Sequence, residues 1–277
     1  MEAMDERVAR HYGRPDLLEA IEAALAAADN AEGPLTPDDL APLDQFHTRG
    51  ARATLELARR AGVGAATRVL DLGGGLGGSA RLLAASFGCT VEVLDLTAAY
   101  CAAGRALTER SGLGDRVRFR HGSALAAPYA DGSFDLVWTQ HSTMNIADLG
   151  RLAAEAHRLL RPAGRLALHE ILAGPAPGLH LPVPWASETA LSFLRRPEEL
   201  RGQIAAAGFA ELDWSDETEI ARQWFEQRVA AMERAGAPPP LGLHLLLGPQ
   251  TPLIFRNLLR NLQEGRVAVV QAVFERR

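Results

Sequence analysis

Six residues with five glycines, Gly73 to Gly78, follow the apolar run Val69-Leu70-Asp71-Leu72. Glycines between a strand and a helix permit a sharp turn and let a ligand approach the backbone, where a Cβ would collide. The helix that follows offers free N–H groups and a positive end to an anion. Gly73-x-Gly75-x-x-Gly78 satisfies the nicotinamide dinucleotide pattern, whose anion is a pyrophosphate. The same glycines, with Gly74, suit S-adenosylmethionine, whose anion is the methionine carboxylate.

Two carboxylates bear on the choice. Asp71 stands two residues before the first glycine. An acid there repels a pyrophosphate but suits the ammonium of a methionine moiety. Asp95 ends the second apolar run, Val91-Glu92-Val93-Leu94-Asp95, and would accept both ribose hydroxyls of either cofactor, with Leu96 beside it. The glycines and Asp95 alone leave a nicotinamide-dependent oxidoreductase open; Asp71 favours the sulfonium.

A methyl sulfonium is already activated. An enzyme that uses it must align an acceptor with the S–CH₃ bond, and needs a base only if the acceptor loses a proton. Polar residues at strand ends are the candidates. Gln140, His141, Met144 and Asn145 follow the fourth apolar run. His141 is neutral near pH 7 and can act as a base or orient a substrate oxygen. Asn145 is either a site residue or the cap of the next helix. His47, close to Gln45 in the segment before the first strand, is a candidate substrate contact. His169 and Glu170 end the fifth strand, where alternation directs one of them toward the site. Trp185, in a loop with Pro175, Pro177, Pro182 and Pro184, is a candidate wall. Arg256 and Arg260 share a helical face that is either solvated or anion-binding.

The surrounding pattern must position these groups. Residues 1–66 read as helices joined by a polar, proline-punctuated link, Leu35 to Gly50. Residues 67–172 alternate five short apolar strands with helices, which predicts an α/β, doubly wound, mostly parallel sheet with ligands at the carboxyl ends of its strands. Residues 173–277 predict an irregular lid, cap helices and two further strands.

Val69 to Arg81 resembles the first motif of class I S-adenosylmethionine-dependent methyltransferases. The acid of VEVLD, the stretch His121 to Gln140 and the turn in HRLLRPAGRLAL resemble the family's later landmarks, in order, over residues 45–172. FHTRGARATLELA, WTQHSTMNI and GRVAVVQAVFER are most similar to the branch holding sarcosine/dimethylglycine and tocopherol methyltransferases. The resemblance implies a seven-stranded Rossmann-like sheet with an antiparallel last strand. It also implies S-adenosyl-L-methionine as donor, S-adenosyl-L-homocysteine as product, and an N-terminal segment that closes over the cofactor. The acceptor would be a small metabolite or natural-product intermediate, methylated on N, C or O. Many members carry an acid after the third strand, facing the adenine; here Gly122-Ser123-Ala124 stand there, so Ser123 or the Ala124 backbone would meet that edge. A family member that binds the cofactor without transferring methyl is the alternative.

Composition sets the outer limits. The chain has 277 residues, 47% hydrophobic and 23% charged, with a net charge of −5. That balance offers no footprint for nucleic acid or an anionic membrane. No apolar run spans a bilayer, and the charged first fifteen residues lack the core of a signal peptide. Two cysteines, Cys89 and Cys101, form no metal-ligand spacing or disulfide framework, which predicts a cytoplasmic protein without a metal. A homodimer is left open.

Overall fold

The computed structural model describes residues 2–28 and 33–277. Before the sheet lie α1 (Glu2–Tyr12), α2 (Leu17–Ala27), α3 (Pro37–Asp44) and α4 (Gly50–Arg60). The central part runs β1 (Arg68–Leu72), α5 (Gly78–Phe87), β2 (Thr90–Asp95), α6 (Ala98–Arg110), β3 (Val117–His121), β4 (Phe134–Gln140), α7 (Leu149–Leu159) and β5 (Leu160–Ala173). The remainder holds α8 (Pro197–Ala206), β6 (Phe209–Asp216), α9 (Thr218–Ala235), α10 (His244–Leu247), α11 (Thr251–Gln263) and β7 (Val267–Arg276).

The seven strands form one sheet in the order β3-β2-β1-β4-β5-β7-β6. The first five are parallel, and β7 runs antiparallel to both neighbours. This is the expected doubly wound architecture. Strand order reverses between β1 and β4, so the crevice outside their carboxyl ends is where such sheets bind ligands. Asp71 pairs with Trp138 across that boundary. The residues that follow, the glycines after β1 and His141 after β4, flank the crevice.

Both faces of the sheet are covered, which is why β1, β2 and β4 read as nearly unbroken apolar runs. One face packs under α7 and α8 through Leu152, Leu159, Leu200 and Ile204. The other packs under α4 and α5 through Leu57, Leu83 and Trp138.

Three local readings need correction. Leu35 to Gly50 is not merely a link: it contains α3. Thr36 Oγ1 accepts from the Asp39 N–H, the Asp39 carboxylate accepts from the Thr36 N–H, Pro37 opens the first turn, and Leu40 and Leu43 are buried. The cap of α7 is Asp148, whose carboxylate accepts from the Arg151 N–H at 2.9 Å, and not Asn145. The turn in HRLLRPAGRLAL falls inside the fifth strand, which starts at Leu160: Leu160 pairs with Phe134, the ladder resumes with Arg165 opposite Leu136, and Arg161 to Gly164 bulge out between them.

The helices before the sheet are bound to its far end and to the glycine loop. Arg49, whose backbone is left-handed at φ 65°, is buried, and its guanidinium pairs with Glu56 on α4 and Glu217 after β6. Gln271 Nε2 on β7 donates to the Ala53 carbonyl at 2.9 Å. On α5, Arg81 donates to the buried Asp44 carboxylate at the end of α3, at 2.6 Å. Among the described residues no helix is long and apolar enough to cross a membrane.

Candidate active site

Two adjoining cavities open at the switch point and share Gly73, Gly75 and Tyr100. The smaller, about 60 Å³, is lined by Asp71, the glycines, Ser79 and Gln140, and by Asp44 and His47 from the N-terminal segment. The larger, about 400 Å³, runs past Asp95, Leu96, Ser123 and Ala124 to His141 and Asn145, with α1 as its roof.

The backbone builds the small cavity. Gly73 sits at φ +74°, and a Cβ there would lie 2.7 Å from that of Ser142; a Cβ at Gly74 would lie 2.5 Å from Asp71 Oδ2. The loop therefore has no room for side chains. Asp71 is fully buried and its Oδ2 has no hydrogen-bond partner; Asp44 Oδ1 is likewise unpaired. Burial, then the carboxylates of Asp95 and Glu170, push the Asp71 pKa up to about 8. An unpaired buried carboxylate is costly, and a ligand ammonium would supply the missing charge. The residues thus fit the methionyl end of S-adenosylmethionine.

Asp95 is set for a diol. Its Oδ2 accepts from the Gly75 N–H and its Oδ1 from the Thr97 N–H, each at 2.8 Å, which fixes the carboxylate on the cavity wall. Ser123 and Ala124 lie on the same wall, where an adenine edge would reach them. Thr97 occupies the cap position of α6 without a side-chain cap bond.

Gln140 is a hub. Its Oε1 accepts from Ser79 Oγ at 2.7 Å and from the Trp138 indole N–H at 3.2 Å. An indole can only donate, so the amide oxygen faces Trp138 and the amide nitrogen faces His169 Nδ1, 3.0 Å away. His169 Nδ1 must accept, so the neutral ring carries its proton on Nε2, 3.2 Å from Thr48 Oγ1. The Thr48 hydroxyl then donates to His141 Nε2 at 3.4 Å. His141 is left protonated at Nδ1, which has no protein partner and is not sealed from the cavity that the residue lines. The Gln140 amide fixes the His169 tautomer, and His141 carries its proton on Nδ1 when the Thr48 hydroxyl is the donor at the longer of its two contacts.

The three rings of His47, His141 and His169 lie 4.8 to 6.1 Å apart between centroids. Burial holds all three below the usual histidine range, His47 at about 4. They are neutral near pH 7 and do not form a metal site: no metal-holding cluster of His, Cys, Asp or Glu occurs among the described residues. His141 is left-handed at φ 52°, a strained conformation for a non-glycine residue. Glu170 Oε2 braces that turn by accepting from the backbone N–H groups of Ser142 and Thr143, both at 3.1 Å.

Several expected contacts lie elsewhere. His169 and Glu170 are fully buried and line neither cavity, because β5 is enclosed by β4 and β7; they hold Thr48, Gln140 and the His141 turn instead. Met144 and Trp185 belong to the core beneath the cap, with the Trp185 indole donating to Ser192. The lid folds inward onto that core, so Trp185 packs rather than faces a ligand. Gly78 lines neither cavity; a Cβ there would lie 2.3 Å from the Asp44 carbonyl oxygen, so it serves the close seating of α3. Asn145 is on the wall, but its amide donates to the carbonyls of Trp185 and Leu191 and accepts from Tyr12. Arg256 lies near Glu233 and Arg260 is paired with Glu264, at the exposed surface.

Met4, Val8, Tyr12 and Tyr100 line the larger cavity and were not picked out by residue type. The spacing of four between Met4, Val8 and Tyr12 is the signal for a helix that lays one apolar stripe on the protein.

The glycine cradle and the paired acids Asp71 and Asp95 at the switch point lie within the stretch of the chain that is similar to known methyltransferases. Residues 70–168 match the methyltransferase domain family. The chain is 30% identical over 178 residues to glycine/sarcosine/dimethylglycine N-methyltransferase of Actinopolyspora halophila, which covers 64% of this chain and 32% of that protein. It is 36% identical over 144 residues to methyltransferase GfsG of Streptomyces halstedii, covering 52% and 51%. The chain thus spans about a third and about half of these curated relatives. It shares its fold with geranyl diphosphate C-methyltransferase from Streptomyces coelicolor A3(2), solved with Mg²⁺, geranyl-S-thiolodiphosphate and S-adenosyl-L-homocysteine. The TM-score is 0.71, with 21% identity, over 99% of this chain and 98% of that one.

Proposed function

We propose that this chain transfers the methyl group of S-adenosyl-L-methionine to a small molecule and releases S-adenosyl-L-homocysteine. The observation that carries the reading is the continuity of the site: the unpaired Asp71 carboxylate, the fixed Asp95 carboxylate and His141 open on two cavities that adjoin. When bound, the donor supplies an electrophilic methyl; the protein's task is to align, orient and keep out water.

Asp71 and the glycine loop hold the methionyl end. Asp95 holds the ribose, and Ser123 with the Ala124 backbone borders the adenine. The N-terminal segment shuts the small cavity with Asp44 and His47. His141 presents Nδ1–H to the larger cavity, so it positions an oxygen of the acceptor by donation; it is not the base that removes the acceptor's proton. Gln140, His169 and Thr48 hold that ring in place. The two buried, unpaired cysteines support a cytoplasmic setting, and the acidic net charge supports a partner list without nucleic acid.

Calorimetric titration with S-adenosyl-L-homocysteine tests the donor site. Micromolar binding is expected, weakened about tenfold or more in Asp95→Ala. No binding to the native chain would overturn the reading, and an unchanged affinity in the variant would move the ribose elsewhere.

A further inference from the structure

Beyond Asp95 and Ser123, the wall of the larger cavity is made by α1 and the turn after β4. Met4, Val8 and Tyr12 supply apolar surface on one side and Ile146 on the other. Among the described residues that line this space, none is arginine, and the chain contains no lysine at all. Arg7, on the same helix, pairs with Glu188 at 2.8 Å. The charged side chains on the wall besides Asp95 are Asp5 and Asp148, both acids.

The helix end and the amide on this wall are already taken. The amino end of α7 reaches this wall, but the Asp148 carboxylate accepts from its Arg151 N–H. The Asn145 amide protons go to the carbonyls of Trp185 and Leu191, and the Tyr12 hydroxyl goes to Asn145 Oδ1. His141 is neutral and offers one N–H. A carboxylate or diphosphate brought here would lose its water and meet two acids and only neutral donors, those of His141, Tyr100 and Ser123, with no cation to compensate it, an arrangement that costs free energy.

We propose that the acceptor is an uncharged, largely apolar molecule with one hydrogen-bond-accepting oxygen for His141, and that amino acids and diphosphates are not its substrates. The inference rests on the methyl-transfer reading above, and it separates this site from the acceptors named for the sarcosine and geranyl diphosphate enzymes. Small-molecule extract from the source cells is passed over an anion-exchange resin at about pH 8, where carboxylates and phosphates are charged. The flow-through is partitioned into ethyl acetate, and each fraction is incubated with enzyme and methyl-labelled S-adenosyl-L-methionine. Sarcosine, and geranyl diphosphate with Mg²⁺, are assayed alone. Label is expected in products of the ethyl acetate fraction, at least about tenfold above the salt eluate, with none on sarcosine or geranyl diphosphate. Acceptors found mainly in the salt eluate or the aqueous flow-through, or turnover of either single compound, would overturn the inference. No label in any fraction, from enzyme that still binds S-adenosyl-L-homocysteine, would instead overturn the methyl-transfer reading on which it stands.

Discussion

Asp71 concentrates the cost of the site on one carboxyl. Its pKa of about 8 means that it is mostly protonated at pH 7. A ligand ammonium restores the ionised form, so binding should expel a proton. Titrations of S-adenosyl-L-homocysteine at pH 7, in buffers of different ionisation enthalpy, should show the release of up to about one proton per site, lost in Asp71→Asn. Equal heats across buffers would contradict this. His141 carries a second prediction. With the Thr48 hydroxyl donating to Nε2 the ring faces the cavity as a donor, and its lowered pKa keeps it neutral from mildly acid to alkaline pH. His141→Ala should raise KM more than it lowers kcat and leave the shape of the kcat pH profile unchanged. Loss of a limb of that profile in the variant would make His141 a base. The glycines and acids that line the two cavities were legible in the sequence because such residues at strand ends have few other uses. The role of His141 was not, since tautomers depend on partners from α4's approach, β4 and β5 that no spacing reveals.

At the scale of elements, the site depends on how closely α3 sits on α5. Gly78 permits that seating, and the buried Arg81–Asp44 pair fixes it. Gly78→Ala should push α3 outward, lower thermal stability by about 1–3 kcal/mol as overpacking does, and weaken binding of S-adenosyl-L-homocysteine. Thermal melts with and without ligand measure both; a variant with native stability and affinity would show that α3 does not close the cavity. β1, β2 and β4 could be read in advance because strands covered on both faces are short, nearly continuous apolar runs, and the edge strand β3 because its residues alternate. α3 could not, because Pro37 and Pro42 look like breakers, although Pro37 in a first turn costs nothing. The inward turn of the lid, which buries Trp185, was equally hidden, since its partners come from α9 and α11 far along the chain.

At the scale of the whole molecule, several buried ionisable groups are held in their neutral forms. For His47 the sign is clear: its folded pKa of about 4 lies below the unfolded value of about 6.5, so the unfolded chain binds more protons between those limits. The stability this ring contributes is present above about pH 6.5 and is lost as pH falls toward 4. His47→Gln should therefore reduce the slope of unfolding free energy against pH in that window by up to about 1.4 kcal/mol per unit, read from urea melts; an unchanged slope would mean that the ring is solvated. Asp71 and Glu170, raised to about 8 and about 7, act with the opposite sign and withhold stability as pH rises. The fold thus carries neutral histidines and strained acids around one crevice, an arrangement suited to receiving a cationic donor. The most direct measurement is mass spectrometry of small molecules incubated with the enzyme and S-adenosyl-L-methionine bearing a trideuterated methyl. The account predicts a small molecule that gains the intact trideuteromethyl group while S-adenosyl-L-homocysteine accumulates in equal amount. Donor that is bound but recovered unchanged, with no labelled product, would contradict it.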